Sequence, residues 1–318
     1  SSSLLVLPVL ARYLEPAEFG IMQMGMPVVI FLLMFNDFGF GPALVRAKTL
    51  TKNAWRSVFW INLFIGICMT AALYFASGPI ANWFEQPNAK PIFQALSFLI
   101  VMNCLIITPA AHLQREMKFK ILSMIEVVAI SGSIVVAMYT AMQGYGAWSL
   151  VAQQVVLFTT KTILMWVFSR PPIAPIIVFA EIKALLGFSS NMMATRVVNF
   201  LARNADNLII GKMLGAVALG FYSIAYRILL LPVEIFAWGL SQVLLPAASK
   251  FQDDLPRIRS ATLRTYRLIA AFTFPTMAGI ALLAEPIIHV FLGERMGPAA
   301  SVLQILAPIG AIQSLSSS

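Results

Sequence analysis

The segment LARYLEPAEFG, residues 10–20, returns later in the chain as IGKMLGAVALG, residues 210–220. At an offset of 200 the matched positions are Arg12/Lys212, Leu14/Leu214, Phe19/Leu219 and Gly20/Gly220. Further on, GPIANWF at 78–84 matches EPIIHVF at 285–291, and Pro91/Pro298, Leu96/Leu303 and Leu99/Leu306 keep the same offset of 207. A nearly constant offset across helix, loop and helix is hard to obtain by chance. The sequence therefore predicts an internal repeat.

The composition indicates a membrane protein. The chain of 318 residues is 59% hydrophobic and 11% charged, whereas soluble domains are about 45–50% apolar. Apolar runs of the length that spans a bilayer, roughly 20 residues, recur along most of it. Cys68 and Cys104 both lie in apolar runs, so no disulfide framework is indicated. His112 and His289 are far apart in sequence, and we expect no metal site and no cofactor.

The apolar runs predict an all-α, polytopic membrane protein. Spanning helices are expected at about 20–44, 54–78, 91–114, 119–143, 146–169, 180–209, 216–247, 257–284 and 298–315. The first apolar run, Leu4 to Ala11, is too short to span, and we interpret it as the end of a truncated first helix. Because the second repeat would need two more helices, the chain is expected to be a fragment truncated at both ends.

Lysine and arginine in the short loops predict the orientation. One alternating set of loops carries Arg46, Lys48, Lys52, Arg56, Arg115, Lys118, Lys120, Arg170, Lys183, Lys250, Arg257, Arg259, Arg264 and Arg267. The opposite set carries Arg12, Lys90, Arg203, Lys212 and Arg295. The richer set is predicted to be cytoplasmic. The net charge of +9 is thus an orientation signal and not a nucleic-acid footprint. For the cluster from Arg257 to Arg267, contact with anionic membrane lipids is the alternative.

The two copies of the first motif are separated by six predicted helices. An even number returns the chain to the same side, so the repeats are parallel and related by a pseudo-two-fold axis along the membrane normal. We expect two six-helix bundles. Residues 1–172 would form the N-terminal lobe with a truncated first helix and helices 2–6, and residues 173–318 the C-terminal lobe with helices 7–10. This arrangement is typical of alternating-access transporters.

Charged residues inside the predicted spans mark the candidate site, since each is costly at mid-membrane. On the seventh helix Arg196, Asn199, Arg203 and Asp206 share one face, and on the eighth Ser223, Arg227, Glu234 and Ser241 do. These groups either form interhelical salt bridges or line a wet cavity. As a cavity wall, the arginines would suit a phosphate or pyrophosphate, and Asn199 and Asn207 would suit hydroxyl-rich ligands.

Other helices supply further candidates. Lys161, one helical face from Gln154, joins the substrate-binding set. Asp37, Glu126, Asp206 and Glu234 are candidates for a coupling-ion site or for ion pairs. Asp37 could equally cap backbone groups. The sequence contains neither a phosphate-cradling glycine-rich loop nor a catalytic constellation, and the chain is therefore not expected to be an enzyme or an ATP-driven motor.

Three segments carry a family resemblance: LARYLEPAEFG, NDFGFGPALVRA at 36–47, and NADNLIIGKMLGAVALGFYSIAYRI at 204–228 followed by VLLPAAS. They resemble the polysaccharide flippases of the multidrug/oligosaccharidyl-lipid/polysaccharide exporter superfamily. The resemblance implies a multi-pass protein of the bacterial inner membrane. It implies transfer of undecaprenyl-pyrophosphate-linked oligosaccharide repeat units from the cytoplasmic to the periplasmic leaflet. It also implies a cationic cavity, matched here by Arg196, Arg203 and Arg227.

The partners implied by the resemblance are the lipid-linked oligosaccharide, membrane lipids and the polysaccharide polymerase and export machinery, with no nucleic acid. Two alternatives stay open at this point. A cation-coupled multidrug exporter of the same superfamily would be expected to place acidic groups, and not three arginines, in its cavity. A membrane-embedded polysaccharide polymerase or ligase would need a large periplasmic loop.

Overall fold

The computed structural model describes residues 2–37, 40–47, 50–178, 190–234 and 255–316, and within these ranges it contains helices and turns but no strand. The α-helices are α1 (Ser2–Tyr13), α2 (Pro16–Asp37), α3 (Phe40–Arg46), α4 (Lys52–Trp83), α5 (Lys90–Arg115), α6 (Phe119–Met142), α7 (Ala147–Phe168), α8 (Ser190–Met213), α9 (Gly215–Pro232), α10 (Leu255–Leu282), α11 (Ala284–Leu292) and α12 (Ala299–Ser316). Two 3₁₀ turns, Pro87–Ala89 and Glu294–Met296, precede α5 and α12. The predicted all-α class is confirmed.

Six helices of the described chain are long and apolar enough to cross a membrane: most of α2, and α4, α5, α6, α7 and α9. The pair α10 and α11 passes the same test as one span, but its two parts are bent by 75°. The chain is therefore a multi-pass membrane protein. α12 is a shorter apolar helix.

The predicted helix bounds hold to within two residues for α5, α6, α7, α10 and α12 but are wrong in two places. The span expected at 20–44 is two helices, because α2 ends at Asp37 and α3 begins at Phe40. Pro42 lies in the first turn of α3, where its missing N–H costs no helical hydrogen bond. The helix expected at 54–78 continues to Trp83. Parts of the spans expected at 180–209 and 216–247 lie outside the described residues.

The elements repeat at the offsets found in the sequence. α1 ends at Tyr13 and α8 at Met213, an offset of 200. The two 3₁₀ turns lie 207 residues apart, and the helix that follows each is α5 in one copy and α12 in the other. The repeated motifs therefore correspond to repeated structure.

The described chain forms two compact units, one of residues 1–16 with 220–318 and a larger one of residues 17–219. The units divide the chain at other residues than the lobes expected at 1–172 and 173–318. α1 groups with residues 220–318, and α8 belongs to the unit of residues 17–219. The lobe boundary stays a prediction. Each unit combines the first helix of one repeat with later helices of the other.

Two glycines illustrate this exchange. In the larger unit, a Cβ added at Gly20 would overlap the backbone carbonyl of Ala216. In the smaller unit, a Cβ added at Gly220 would overlap the carbonyl of Pro16. Shifting each residue number by 200 turns the pair Gly20 and Ala216 into the pair Gly220 and Pro16. The two contacts are therefore equivalent, as in an isologous contact. Only glycine allows backbones to approach so closely.

Contacts in the larger unit agree with the predicted alternation of loops. Trp60 Nε1 donates a hydrogen bond to the Ile173 carbonyl at 3.0 Å, which joins the beginning of α4 to the segment after α7. At the other end of the unit, Lys212 Nζ lies 2.7 Å from Glu85 Oε1, which joins the ends of α8 and α4. The helices thus alternate in direction as expected, and which side is cytoplasmic stays a prediction.

Candidate functional site

The predicted polar face of α8 is exposed in the described part of the larger unit. Asn199 and Arg203, one turn apart, are both exposed. Phe200 is buried, and its ring lies 5.2 Å from the ring of Phe31 in α2. Phe200 thus packs against α2, while Asn199 and Arg203 are exposed, as are the apolar side chains of Val198 and Leu201 on the same helix. At mid-membrane such polar groups must face water or protein, because contact with lipid is costly.

Asp206 is half-buried, and its Oδ1 accepts a hydrogen bond from the backbone N–H of Asn207 at 2.8 Å. The side chain of Arg196 lies outside the described residues. The grouping of Arg196, Asn199, Arg203 and Asp206 on one face follows from their helical spacing in α8, and their predicted contact with a substrate stays a prediction.

Arg227 lies on α9 in the smaller unit. It is half-buried, and within the described residues it makes no ion pair and no hydrogen bond. On the same helix the rings of Tyr222 and Tyr226 are stacked with their centroids 5.8 Å apart. Gln313 of α12 donates a hydrogen bond from Nε2 to the Tyr226 hydroxyl at 3.1 Å. Because no counter-ion of Arg227 lies among the described residues, its five N–H donors can bind an anion.

Lys161 and Glu126 pair with each other. The ammonium of Lys161 on α7 lies 2.7 Å from Glu126 Oε1 on α6, and both groups are partly exposed. Two roles were considered for Glu126, a coupling-ion site and an ion pair, and the ion pair is present in this structure. The pair joins helices that pack along much of their length. A direct contact of Lys161 with substrate stays a prediction.

Two acidic candidates remain. The side chain of Asp37 lies outside the described residues, although its backbone ends α2. Glu234 follows the end of α9 and is half-buried with an interaction of its own. Among the described residues, no group of three or more His, Cys, Asp or Glu side chains could hold a metal ion. The assignment of any acidic group to a coupling ion stays a prediction.

Sequence analysis missed the stacked tyrosines and the role of α3. Tyr222 and Tyr226 are four residues apart, a spacing that predicts a shared helical face, and this signal could have been used. Arg46 lies at the end of α3 and lines a cavity whose other walls come from α2 and α5. No sequence pattern indicates that cavity, since it depends on where α2 ends.

Comparison with known proteins gives a consistent result. The family model described as polysaccharide biosynthesis protein matches residues 9–301. The succinoglycan biosynthesis transport protein ExoT of Rhizobium meliloti (strain 1021) is 31% identical over 302 residues, which cover 94% of this chain and 61% of that protein. The lipopolysaccharide biosynthesis protein WzxC of Escherichia coli (strain K12) is 24% identical over 314 residues, which cover 98% of this chain and 64% of that protein.

Among solved structures, the fold is similar to the lipid II flippase MurJ in an inward closed conformation. The TM-score is 0.78 at 18% identity, and the match covers 99% of this chain and 72% of that one. This likeness concerns the fold alone. The chain spans a little over three fifths of the length of the two polysaccharide relatives.

Proposed function

The chain belongs to the polysaccharide biosynthesis protein family, and from that premise we propose that it is a flippase for lipid-linked oligosaccharides. It moves undecaprenyl-pyrophosphate-linked repeat units from the cytoplasmic to the periplasmic leaflet of the bacterial inner membrane by alternating access. It acts as a transporter and not as an enzyme. The polysaccharide polymerase and the export machinery take up its product.

The single observation that carries this proposal is Arg227, which lies on a spanning helix without an ion pair or hydrogen bond in the described chain. A permanently charged guanidinium in such a place is costly unless a ligand or water compensates it. Arginine binds phosphate oxygens through two parallel hydrogen bonds, which a lysine cannot reproduce. A pyrophosphate-bearing substrate is the ligand that this chemistry suits.

The other polar groups take complementary roles in the proposal. Arg196 and Arg203 supply further positive charge for the pyrophosphate, and the amide of Asn199 bonds sugar hydroxyls. Alternating exposure of these groups to the two sides of the membrane would carry the head group across. A cation-coupled drug exporter finds less support, because a drug cation would meet arginine and not an acidic site.

The test replaces Arg227 by alanine in the complete gene product and measures export of the glycan in cells that lack the natural protein. A charge-assisted hydrogen bond contributes about 1.5–3 kcal/mol, so the affinity for the substrate should fall about 10- to 150-fold. Lipid-linked oligosaccharide should then accumulate in the cytoplasmic leaflet. A membrane-impermeant label added to intact spheroplasts should not react with it there. Lysine at position 227 should rescue only weakly.

Arg295 provides the matched control, because it is an exposed arginine of the same unit in the second 3₁₀ turn. Arg295→Ala should export normally. Normal export by an Arg227→Ala protein that is present in the membrane would contradict the assignment of Arg227. An Arg227→Ala protein that is absent from the membrane would instead assign this arginine to folding.

A further inference from the structure

A cavity of about 680 Å³ lies in the larger unit between α2, α3 and α5, apart from the charged faces discussed above. Its walls are mainly apolar, with Leu33 of α2, Val45 of α3 and Ile107 of α5 among them. Three polar side chains join them: Arg46, Asn103 and Gln114. The lining contains a cation and two amides and, in the described chain, no carboxylate.

The cavity exists because α3 is held against α5 and not against α2. The guanidinium of Arg115, at the end of α5, donates hydrogen bonds to the carbonyls of Leu44 at 3.0 Å and Ala47 at 2.7 Å. Phe40 and Leu44 belong to one buried cluster with Ala111 of α5. α3 is therefore fixed at both ends, and the space beside it stays open.

The position of the cavity in the larger unit is also informative. Gln114 and Arg115 lie at the same end of the unit as the hydrogen bond between His112 and Ser169, where the Ser169 hydroxyl is 3.2 Å from the ring Nδ1. The positive-inside rule predicts that this end is cytoplasmic. It is thus on the side from which a lipid-linked precursor would be collected.

The lining chemistry identifies the class of ligand. Arg46 is exposed, and Lys52 and Arg56 follow it in the same basic region, so the mouth attracts anions. Arginine and amide donors suit phosphate oxygens, and the apolar walls suit a hydrocarbon chain. The volume lies within the range of about 300–1,000 Å³ typical of sites for small ligands. It suits a phosphate group with the first units of one chain better than a phospholipid with two.

We propose that this cavity is an entry site that receives the phosphate-bearing end of the polyprenyl-linked substrate before transport. The proposal rests on the proposed flippase function and adds a second, earlier binding position to it. Arg46 bonds the phosphate oxygens, Asn103 and Gln114 orient the head group, and the apolar walls hold the adjoining isoprenoid units.

The experiment measures protection of a thiol placed in the cavity wall. The complete protein carries Cys68→Ser, Cys104→Ala and the replacement of any further cysteine outside residues 1–318, together with Ala110→Cys at a half-buried lining position. It is reconstituted into phosphatidylcholine nanodiscs, and the rate of reaction with a water-soluble maleimide is measured. Undecaprenyl pyrophosphate, phosphatidylglycerol at the same mole fraction, or inorganic pyrophosphate is then added.

Undecaprenyl pyrophosphate should slow labelling at position 110, with inorganic pyrophosphate and phosphatidylglycerol much weaker. Arg46→Gln should raise the amount of lipid needed for half-protection about tenfold or more, the loss expected for a charge-assisted hydrogen bond. Arg46→Lys should retain part of the effect. Lys90→Gln is the control, because Lys90 is an exposed lysine where α5 begins, at the opposite end of that helix from Gln114; it should leave protection unchanged.

Equal protection by phosphatidylglycerol would identify a general site for anionic lipids and overturn the proposal. Absence of protection, or protection unchanged by Arg46→Gln, would also overturn it. Export is measured on the same variants, which separates the two proposals. If Arg227→Ala blocks export while Arg46→Gln alters neither protection nor export, the entry site is wrong and the flippase function stands. If undecaprenyl pyrophosphate protects the wild-type cavity but the protein never exposes substrate outside, the flippase function is wrong.

Discussion

α4 and the pair α10–α11 occupy corresponding places in the two repeats, and they differ in continuity. α4 runs unbroken from Lys52 to Trp83. In the other copy, α10 ends at Leu282 and α11 begins at Ala284 after a bend of 75°. Each segment contains one proline of a matched pair in the repeat, Pro79 in α4 and Pro286 in α11. A proline at the same position of the repeat therefore does not decide whether the helix continues.

The local chemistry around the prolines differs. A proline cannot bond to the carbonyl four residues earlier and crowds it. For Pro286 that carbonyl belongs to Leu282, the last residue of α10. For Pro79 it belongs to Phe75, and α4 continues past it. There, the hydroxyl of Ser77 donates to the carbonyl of Tyr74 at 2.6 Å, whereas the position equivalent to Ser77 is Ala284. The Tyr74 carbonyl is one residue before the Phe75 carbonyl that Pro79 leaves unbonded, so the serine does not replace the bond lost at Pro79.

The strongest test of the comparison is the sidedness of equivalent positions. Lys52 and Arg259 are related by 207 residues, as are Asn88 and Arg295, and all four are exposed. Single cysteines at the first two, in a background without Cys68 and Cys104, should react with an impermeant maleimide only from the cytoplasm. Cysteines at the other two should react only from outside. Opposite labelling of Lys52 and Arg259 sites would show that the repeats are inverted and not parallel.

The next largest effect is expected at the paired glycines. Gly20→Ala and Gly220→Ala each force a methyl group against a backbone carbonyl that cannot move aside. Overpacking costs about 1–3 kcal/mol, so both variants should lose a large part of their folded fraction in detergent. To measure this loss, each variant is heated and its remaining folded fraction is determined by size-exclusion chromatography.

Gly132→Ala in α6 and Gly279→Ala in α10 are the controls, because nothing lies within 4 Å of a Cβ at either position. They should be neutral or gain up to about 1 kcal/mol of helix propensity. Equal melting temperatures for all four variants would refute the close approach of the backbones.

A smaller change is expected when the bend itself is altered. Pro286→Ala restores the missing donor and should favour a straighter α10–α11. Spin labels at positions 268 and 290 should then move apart towards about 33 Å, the length of 22 residues at 1.5 Å each. Labels at the equivalent positions 61 and 83 of α4 should report about that distance with or without Pro79→Ala. If the distance between 268 and 290 does not change, the bend has another cause than the proline.

The smallest effect concerns an ion pair that only one copy has. Lys212 and Glu85 pair in the larger unit, while their equivalents by the two offsets are Arg12 and Leu292. The hydrogen bond from Lys212 and then its charge lower the pKa of Glu85 below its ordinary 4.5. The stabilisation is therefore present above pH 4.5 and is lost as the pH falls through the lowered value. Glu85→Gln should slightly lower the melting temperature at pH 7, and this difference should shrink as the pH falls below 4.5.

Added salt should weaken this small difference, because the pair is exposed. Glu294→Gln is the control, since Glu294 is exposed in the second 3₁₀ turn and outside the predicted spans. A difference for Glu85→Gln that does not shrink below pH 4.5 would mean that packing, and not charge, is responsible.

Much of the helical framework could be predicted from the sequence, because membrane spans depend on length and hydrophobicity alone. α6 and α7 agree with expectation to within a residue at each end. The break after Leu282 could not be predicted, since Pro79 in the same motif leaves α4 intact. Nor could the pairing of Lys161 with Glu126, because a sequence gives the face of each helix but not the register between two helices.

The candidate site was predictable only by type of residue. Helical spacing places Asn199 and Arg203 together on α8, and both are exposed; that they line a cavity stays a prediction. The stacking of Tyr222 on Tyr226 follows from their spacing of four residues, but the contact of Tyr226 with Gln313 depends on how α9 meets α12. The space around Arg46 depends on Arg115, which is distant in sequence and holds α3 through backbone carbonyls.

The exchange of first helices has a consequence for biosynthesis. α1 precedes the whole larger unit in the chain, yet it groups with residues 220–318 and packs on α11. During translation α1 leaves the ribosome before residues 17–219, and its contacts with α11 cannot form until those residues and α11 have been made. The larger unit can assemble in that interval, before the smaller one. Insertion of this chain is therefore ordered in time, and a ribosome that stalls near Leu219 would leave α1 without its partners.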